Sequence, residues 1–387
     1  MPPSRDLSAA RIAVVHDWLD TWRGGENVLA QVLAAFPHAE LHALVDFLPD
    51  ALRPRVQGRH AHTSWLQHVP GARRHFRKLL PLFPAAMTSL DVAGCDIVIS
   101  ISHAVAKTVR THPRQLHLCY CLTPMRYAWD LRDDYLAAVG AGSGIRRALA
   151  DRLLDRLQQD DLASNARVDR FAAISHYIRA RIARCYGRHA TVIYPPVDTA
   201  FFTPGGHRGA TYVTASRWVP YKRVDLVVAA FRALPDRRLI VVGDGPEASR
   251  IRAAAGGNVE FVGEVPAERL RDLLRSARAF VFAADEDFGM LPVEAQACGT
   301  PVIAYGRGGA LETVRGPDDV RPTGLFFERQ TADAIAAAVR RFESDGAGAF
   351  GTDACRANAE RFSVDRFAAR FTAFVDSAWA DFAAALR

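Results

Sequence analysis

The densest group of residues able to do chemistry is ADEDFGMLPVEAQACGTPVIAYGRGGALETV, residues 284–314. It holds two carboxylates, Glu286 and Glu294, with Gly289 between them. RAFVFAA before it reads as a strand and LPVEAQACG as a helix. Glu286 then falls in the connecting loop, and Glu294 lies about one and a half turns into the helix. Gly289 stands where that helix begins. The first N–H groups of a helix have no acceptor within it, and with the helix dipole behind them they suit a diphosphate. A carboxylate at Glu294 would accept hydrogen bonds from two vicinal ribose hydroxyls, and Glu286 would do the same for a sugar ring. On spacing alone the pair reads equally well as a solvated loop acid and a helix-surface acid.

ASRWVPYKRVDL (215–226) again follows a strand directly. Arg217 and Lys222 would reach the end of the sheet, where their charge could stabilise a departing nucleotide diphosphate without a metal. The chain has three lysines (78, 107, 222) beside 46 arginines, so a lysine at this turn points to a need for a compact ammonium. A solvated helix start is the competing reading. GDGPE (243–247) gives a tight turn around Gly243 after another strand, and Val262, Gly263 and Glu264 end the next, where backbone groups would read a nucleobase edge.

These loops need elements to hold them. Short β-rich runs alternate with helical patterns along the whole chain, which reads as parallel α/β. In the first half the strands are RIAVVHDW, ELHALV, DIVISIS, LHLCYCL, RFAAIS and TVIYP, with helical periodicity after Gly25, over 145–157 and over 176–187. YPPVDTAFFTPGG (194–206) concentrates Pro and Gly and looks like a domain linker. A second set, TYVTAS, RRLIVVG, VEFVG, RAFVFAA and TPVIAY, is doubly wound, with ligands expected beyond the carboxyl ends of its strands. An amphipathic helix, 364–386, closes the chain. The expected domains are 1–195, 196–361 and a C-terminal helix, 362–387, packing back on the first domain.

A length of 387 residues suits two domains, and the composition is that of a globular protein. No apolar run reaches the roughly 18 residues that span a bilayer. MPPSRDLSAA lacks the apolar stretch of a secretory signal, so a cytoplasmic chain is expected. The six cysteines show no C-x-x-C pairing, and reduced, packed thiols are expected rather than a metal site. Net charge is +7, and residues 1–195 hold 25 Lys+Arg against 17 Asp+Glu. A basic first half points to a polyanionic partner. No nucleic-acid motif is present, which leaves lipid phosphate or an anionic membrane.

The series S-R-x-V-P-Y-K, G-D-G-P-E, F-V-G-E-V, E-D-F-G-M-x-P-V-E-A-x-A-C-G-T-P-V-I-A and G-G-x-x-E resembles glycosyltransferase family 4 over about residues 211–330. The resemblance implies a nucleotide-sugar donor, retention of anomeric configuration and the GT-B fold, two doubly wound Rossmann-like domains facing each other across a cleft. It implies that Arg217 and Lys222 hold the diphosphate and that Glu294 binds ribose. It also implies that Glu286, with the backbone of Phe288, Gly289, Met290 and Leu291, contacts sugar and phosphates. Ser216 replaces a glycine common before the arginine, and keeps the position small. HDWLDTWRGGENVL (16–29) supplies the glycine-rich loop after the first strand, where Gly24 and Gly25 allow close approach to the donor.

SISHAVAKTV (100–109) and CYCLTPMRYAWD (119–130) look like bacterial mannosyltransferases that build O-antigens and exopolysaccharides. Many relatives have His where this chain has Leu122, so His103 becomes the candidate histidine, with a structural role as the alternative. Arg126 and Tyr127 join the acceptor side. PGARRHFRKLLPLFPAAM (70–87) places Arg73, Arg74, Arg77 and Lys78 before Leu79, Leu80, Leu82 and Phe83, which suits an anionic bilayer or a polyprenyl pyrophosphate. A solvated helix followed by a core segment is the competing reading.

The resulting expectation is a mannosyltransferase using GDP-mannose on a polyprenyl-diphosphate-linked glycan, peripheral on the inner face of the cell membrane, with no cofactor and no metal. No second carboxylate is evident in the first half to act as a nucleophile, so same-face displacement is expected, with Glu286, Lys222, Arg217 and His103 as its catalytic set. A UDP-sugar enzyme of the same fold and a non-catalytic nucleotide-sugar or glycan-binding scaffold are the alternatives.

Overall fold

The structure, a computed structural model, describes residues 7–130, 132, 133, 136, 143–344 and 349–386. It divides into two compact units, one running to Pro195 and resuming at Phe367, the other spanning Pro196–Arg366.

The first unit is built on β1 (Ile12–His16), β2 (Glu40–Ala43), β3 (His62–Thr63), β4 (Ile97–Ser102), β5 (Leu116–Cys121), β6 (Arg170–Ala173) and β7 (Ala190–Val192). All pair in parallel, in the order β3-β2-β1-β4-β5-β6-β7. Helices α1 (Gly24–Ala35), α2 (Ala72–His75), α3 (Phe83–Met87), α4 (Gly144–Ser164) and α5 (His176–Tyr186) accompany it. Every residue of β1, β4 and β5 is buried, and their near-continuous apolar runs are what a sheet covered on both faces requires. Ala13, Val15 and Val98 share one apolar cluster with Phe76, Leu80, Phe83, Leu154 and Leu157.

The second unit carries β8 (Tyr212–Ala215), β9 (Leu239–Val242), β10 (Val259–Gly263), β11 (Phe280–Phe282), β12 (Val302–Tyr305) and β13 (Gly324–Phe327). They too are parallel, in the order β10-β9-β8-β11-β12-β13. Its helices are α6 (Val224–Arg232), α7 (Ala248–Ala253), α8 (Ala267–Ser276), α9 (Met290–Ala297), α10 (Ala310–Thr313), α11 (Ala332–Ser344) and α12 (Thr352–Ala359). The last helix, α13 (Val364–Ala385), joins the first unit from Phe367 onward. There Phe367 and Phe371 meet the Tyr120 ring edge-on at 5.8 and 5.7 Å, and Phe371 meets Phe36 at 6.3 Å.

Each sheet has one place where strand order reverses direction, between β1 and β4 and between β8 and β11. Loops leaving such neighbours diverge and open a crevice at the strands' carboxyl ends, where ligands of doubly wound sheets bind. His16 ends β1 and Asp17 follows it, His103 follows β4, and Arg217, Lys222 and Glu286 follow β8 and β11.

Three features differ from the sequence reading. Strands β3 and β13 and helices α11 and α12 carry no signal singled out there. The Pro- and Gly-rich 194–206 segment is held down: Val197 N–H donates to Phe362 O at 2.9 Å, and Arg356 Nη1 donates to the carbonyls of Thr199 and Phe202 at 2.7 Å. The apolar residues after the basic run also turn inward. Pro81 and Pro84 fall among short helical turns that bury Leu80 and Phe83 to 6% and 1% exposure and leave Leu82 outside.

Candidate functional site

In the first unit the crevice centres on Asp17, which the sequence reading passed over. Its carboxylate is fully buried. Oδ2 accepts the N–H groups of His103 (2.6 Å) and Ala104 (3.2 Å), and Oδ1 those of Val105 (2.5 Å) and Ala106 (2.7 Å). His103 Nδ1 adds a contact of 2.7 Å to Oδ2. Burial alone would push this carboxyl up; the charge and hydrogen bond of His103, the charge of His16 and a backbone bond from His103 outweigh it and hold it at about 2. In return His103 rises above its ordinary value, because Asp17 overcomes the opposing effect of burial. With Nδ1 committed to Asp17, Nε2 is the ring nitrogen left to a substrate. Trp18 packs edge-on against the ring at 4.6 Å and limits its orientations.

A second acid–imidazole pair lies beside the first. His16 is fully buried, its Nε2 3.7 Å from Glu26 Oε1, and neither ring nitrogen makes a hydrogen bond among the described residues. Glu26 reaches there because it sits in the first turn of α1, where its other oxygen accepts the Arg23 N–H at 2.8 Å. Burial pushes the Glu26 carboxyl up, but the neighbouring His16 imidazole prevails and holds it down. Gly24 begins the same helix, and a Cβ at Gly25 would stand 3.0 Å from Leu122 Cδ1 and 3.7 Å from His16 Cε1. Leu122 thus packs on the glycine loop next to His16.

Of the basic run, Arg77 is brought to this half: it pairs with Asp20 at 2.5 Å and lies over the rings of Phe76 (4.8 Å) and Trp18 (6.0 Å). Arg73, Arg74 and Lys78 are exposed, and nothing brings them to His103. Arg126 and Tyr127 are half-buried in the turn after β5, Tyr127 against the apolar cluster. Of the apolar residues expected beside this exposed basic run, Leu80 and Phe83 are buried and Leu82 is exposed.

The loop carrying His103 continues into a second buried ion pair. Lys107 Nζ lies 2.8 Å from Asp161 Oδ1 on α4 and donates to Ser164 Oγ at 2.5 Å. Asp161 Oδ2 accepts from Trp129 Nε1 (2.9 Å) and the Tyr186 hydroxyl (2.8 Å). With both partners' polar atoms engaged, this cluster fixes the end of the loop that binds Asp17.

In the second unit glycines lace the loops after the strands together. Gly243 has φ +114, and a Cβ there would stand 1.9 Å from Ser216 O; at Gly245 it would stand 2.4 Å from Trp218 O. No side chain fits either place, so GDGPE lies flat on the 216–218 turn. Gly243 N–H donates to Gly263 O at 2.7 Å, bringing Val262, Gly263 and the exposed Glu264 to the same edge. A Cβ at Gly308 would stand 2.4 Å from Glu286 O and one at Gly309 2.3 Å from Phe288 Cα, and Gly309 N–H donates to Glu286 O at 2.8 Å.

These supports bring Lys222 and Glu286 into direct contact, ammonium to carboxylate. Gly289, at φ +85, caps α9, so the first N–H groups of Met290 and Leu291 open beside the loop that bears Glu286. Phe288 is buried against Phe362 at 5.4 Å and anchors the loop. Arg217 is exposed and Ser216 half-buried at the end of β8. Glu294 is half-buried on α9, and burial, with the charge of Asp198 adding to it, pushes its carboxyl up to about 7.

Residues 204–361 match the family described as Glycosyl transferases group 1. Among curated relatives, a GDP-mannose-dependent monoacylated alpha-(1-6)-phosphatidylinositol monomannoside mannosyltransferase of Corynebacterium glutamicum is 34% identical over 200 residues, 44% of this chain and 51% of that protein. A D-inositol 3-phosphate glycosyltransferase of Mycobacterium marinum is 36% identical over 192 residues, 44% of this chain and 40% of that one. The chain thus spans about half the length of the curated relatives it matches. Among solved structures, Anabaena HepE in complex with UDP superposes with a TM-score of 0.71 at 16% identity, covering 95% of this chain and 100% of that one. Sucrose-phosphate synthase from Thermosynechococcus elongatus gives 0.70 at 20% identity, over 96% of this chain and 100% of that one. Two parallel Rossmann-like units with these neighbours define a GT-B fold. The likeness to the group 1 glycosyltransferases thus covers residues 204–361, and the likeness of fold extends over nearly the whole chain.

Proposed function

We propose that this protein is a retaining glycosyltransferase that moves a hexose, mannose from GDP-mannose, onto a lipid-linked glycan acceptor during cell-surface polysaccharide synthesis. The observation that carries the reading is the contact between Lys222 and Glu286 at the β8/β11 switch point, next to the open start of α9. A cation, a carboxylate and free helix N–H groups in one crevice match a diphosphate joined to a hydroxylated sugar. The name of the Corynebacterium relative supports mannose and a lipid acceptor.

In the proposed reaction the acceptor hydroxyl oxygen bonds to the anomeric carbon on the face from which the phosphate leaves. The bond between that carbon and the phosphate oxygen breaks, its electron pair goes to the nucleoside diphosphate, and the hydroxyl proton passes to the leaving phosphate. Lys222, Arg217 and the α9 N–H groups stabilise the charge that develops there, so no metal is required. Glu286 orients the sugar hydroxyls once the diphosphate takes over Lys222, and Glu294 accepts the ribose hydroxyls. Asp17 is no candidate nucleophile: both its oxygens are committed to four N–H groups and His103. His103, through Nε2, holds a hydroxyl of sugar or acceptor. Release of nucleotide from GDP-mannose, UDP-glucose and ADP-glucose, measured in EDTA, tests the reading; turnover of none of them discards it, and preference for UDP-glucose discards mannose.

A further inference from the structure

Helix α4 (Gly144–Ser164) carries two different faces. Leu154 and Leu157 are buried in the apolar cluster beneath the first sheet. On the outer side Ile145, Leu149 and Leu153 are 82%, 60% and 37% exposed. Positions i, i+4 and i+8 line one side of a helix, so the three form a stripe about 12 Å long. A soluble helix ordinarily turns such a stripe inward. This helix has already filled its inward face, so the outer stripe is surplus to folding.

Its surroundings say what it meets. Arg146, Arg152 and Arg156 are exposed on the same side of the helix, interleaved with the three apolar residues. The acids of the helix are largely engaged elsewhere: Asp151 pairs with Arg132 and Arg147 at 2.9 and 2.8 Å, Asp155 with Arg132 at 2.7 Å, and Asp161 with Lys107 inside. Asp160 faces Arg156 at 3.4 Å and is the one acid set against an arginine of this face among the described residues. Apolar side chains at the centre and guanidinium groups around them fit a layer with a hydrocarbon interior and a phosphate surface. The excess positive charge of the chain also lies in this half of the sequence.

We infer that the outer face of α4, and not the 70–87 segment, is the surface by which this protein docks on an anionic lipid bilayer, with Ile145, Leu149 and Leu153 inserted at the level of the headgroups. Its use, delivering the enzyme to a lipid-linked acceptor, rests on the proposed function; the docking itself does not.

The test is flotation of the full chain with vesicles of phosphatidylcholine and phosphatidylglycerol in equal parts, beside vesicles of phosphatidylcholine alone. The wild type is expected to float with the mixed vesicles and to stay behind with the neutral ones. I145S/L149S/L153S is expected to lower partition by about tenfold or more, from the lost apolar insertion. R146Q/R152Q/R156Q is expected to lower it by a similar factor, about tenfold, at low salt. Since all six residues are exposed, melting temperatures and nucleotide release from a soluble donor should stay at wild-type values, which separates lost docking from lost folding. Equal flotation of wild type and the apolar variant overturns the inference, as does absence of wild-type flotation. A wild-type dimer that the apolar variant turns into a monomer also overturns it, by showing a second copy on this face. Vesicle binding with no turnover of any nucleotide sugar would discard the enzymatic reading and leave the docking surface standing.

Discussion

His103 Nδ1 lies 2.7 Å from Asp17 Oδ2, and the same carboxylate accepts four consecutive backbone N–H groups, from His103 to Ala106. One buried charge therefore folds the loop after β4 and fixes which imidazole nitrogen is presented. The two roles separate by mutation. Asp17→Ala leaves four N–H groups without their acceptor and should destabilise the chain by about 3–5 kcal/mol, read by urea unfolding. His103→Ala should cost less stability than Asp17→Ala, because the four N–H groups still hold the carboxylate, and should lose about a hundredfold in kcat. Equal destabilisation by both would make His103 a structural residue only.

The same pair sets an acid limit. Asp17 is held at about 2 in the folded chain, below its unfolded value of 3.8, so its contribution is complete above 3.8 and is lost as pH falls toward 2. Unfolding free energy measured between pH 5 and pH 2 should drop by about 2 kcal/mol through this group. His103→Gln should shrink that drop, because the imidazolium is the main influence that lowers the carboxyl.

Glu294 behaves in the opposite sense. Burial raises its folded value to about 7 from 4.5, so its protonated form is favoured in the fold and stability falls as pH rises through 7. Glu294→Gln should therefore stabilise the ligand-free protein at pH 8, by up to about 3 kcal/mol. Nucleotide affinity should move the other way. It should weaken as pH drops below 7, because only the carboxylate accepts both ribose hydroxyls, and Glu294→Gln should flatten that dependence. A pH-independent affinity in the wild type would place the ribose elsewhere.

Much of the second unit is legible in the sequence, and the reason is local. Gly243, Gly308 and Gly309 mark places where backbone passes against backbone, Gly289 at φ +85 marks the start of α9, and each falls in a loop between a strand and the next helix. The first unit hides its site, because the groups that meet are far apart in the chain. Asp17 is one acid after a strand, indistinguishable from a solvated loop residue until the N–H groups of 103–106 close on it. Lys107 and Asp161 find each other only through the packing of α4. The HD dipeptide at the end of β1 is the available signal for Asp17: a charged residue directly after a wholly buried strand. The apolar run 79–83 misleads because consecutive leucines carry no direction; the turns made by Pro81 and Pro84 decide that Leu80 and Phe83 face inward. The stripe on α4 is readable only when the opposite face is known to be filled.

Lys222→Ala removes a charge-assisted donor to the leaving phosphate, and should cost about 3 kcal/mol of transition-state stabilisation, roughly a hundredfold in kcat. Lys222→Arg should restore only part of the rate, since a planar fork does not replace a compact ammonium against Glu286. Steady-state kinetics with the thermal midpoint as a folding control distinguishes this from structural loss. Near-normal kcat in the alanine variant would remove Lys222 from the mechanism.

If the loops after β8 and β11 bind a nucleoside diphosphate without a metal, thermal unfolding in EDTA with GDP, UDP and ADP will reveal it. A stabilisation of about 2.7 kcal/mol is expected at a hundred times the dissociation constant, largest with GDP. The shift should be lost in Lys222→Ala and in Glu294→Gln at neutral pH. A wild-type chain whose melting is unmoved by all three nucleotides, or that responds only when a divalent metal is added, would contradict it.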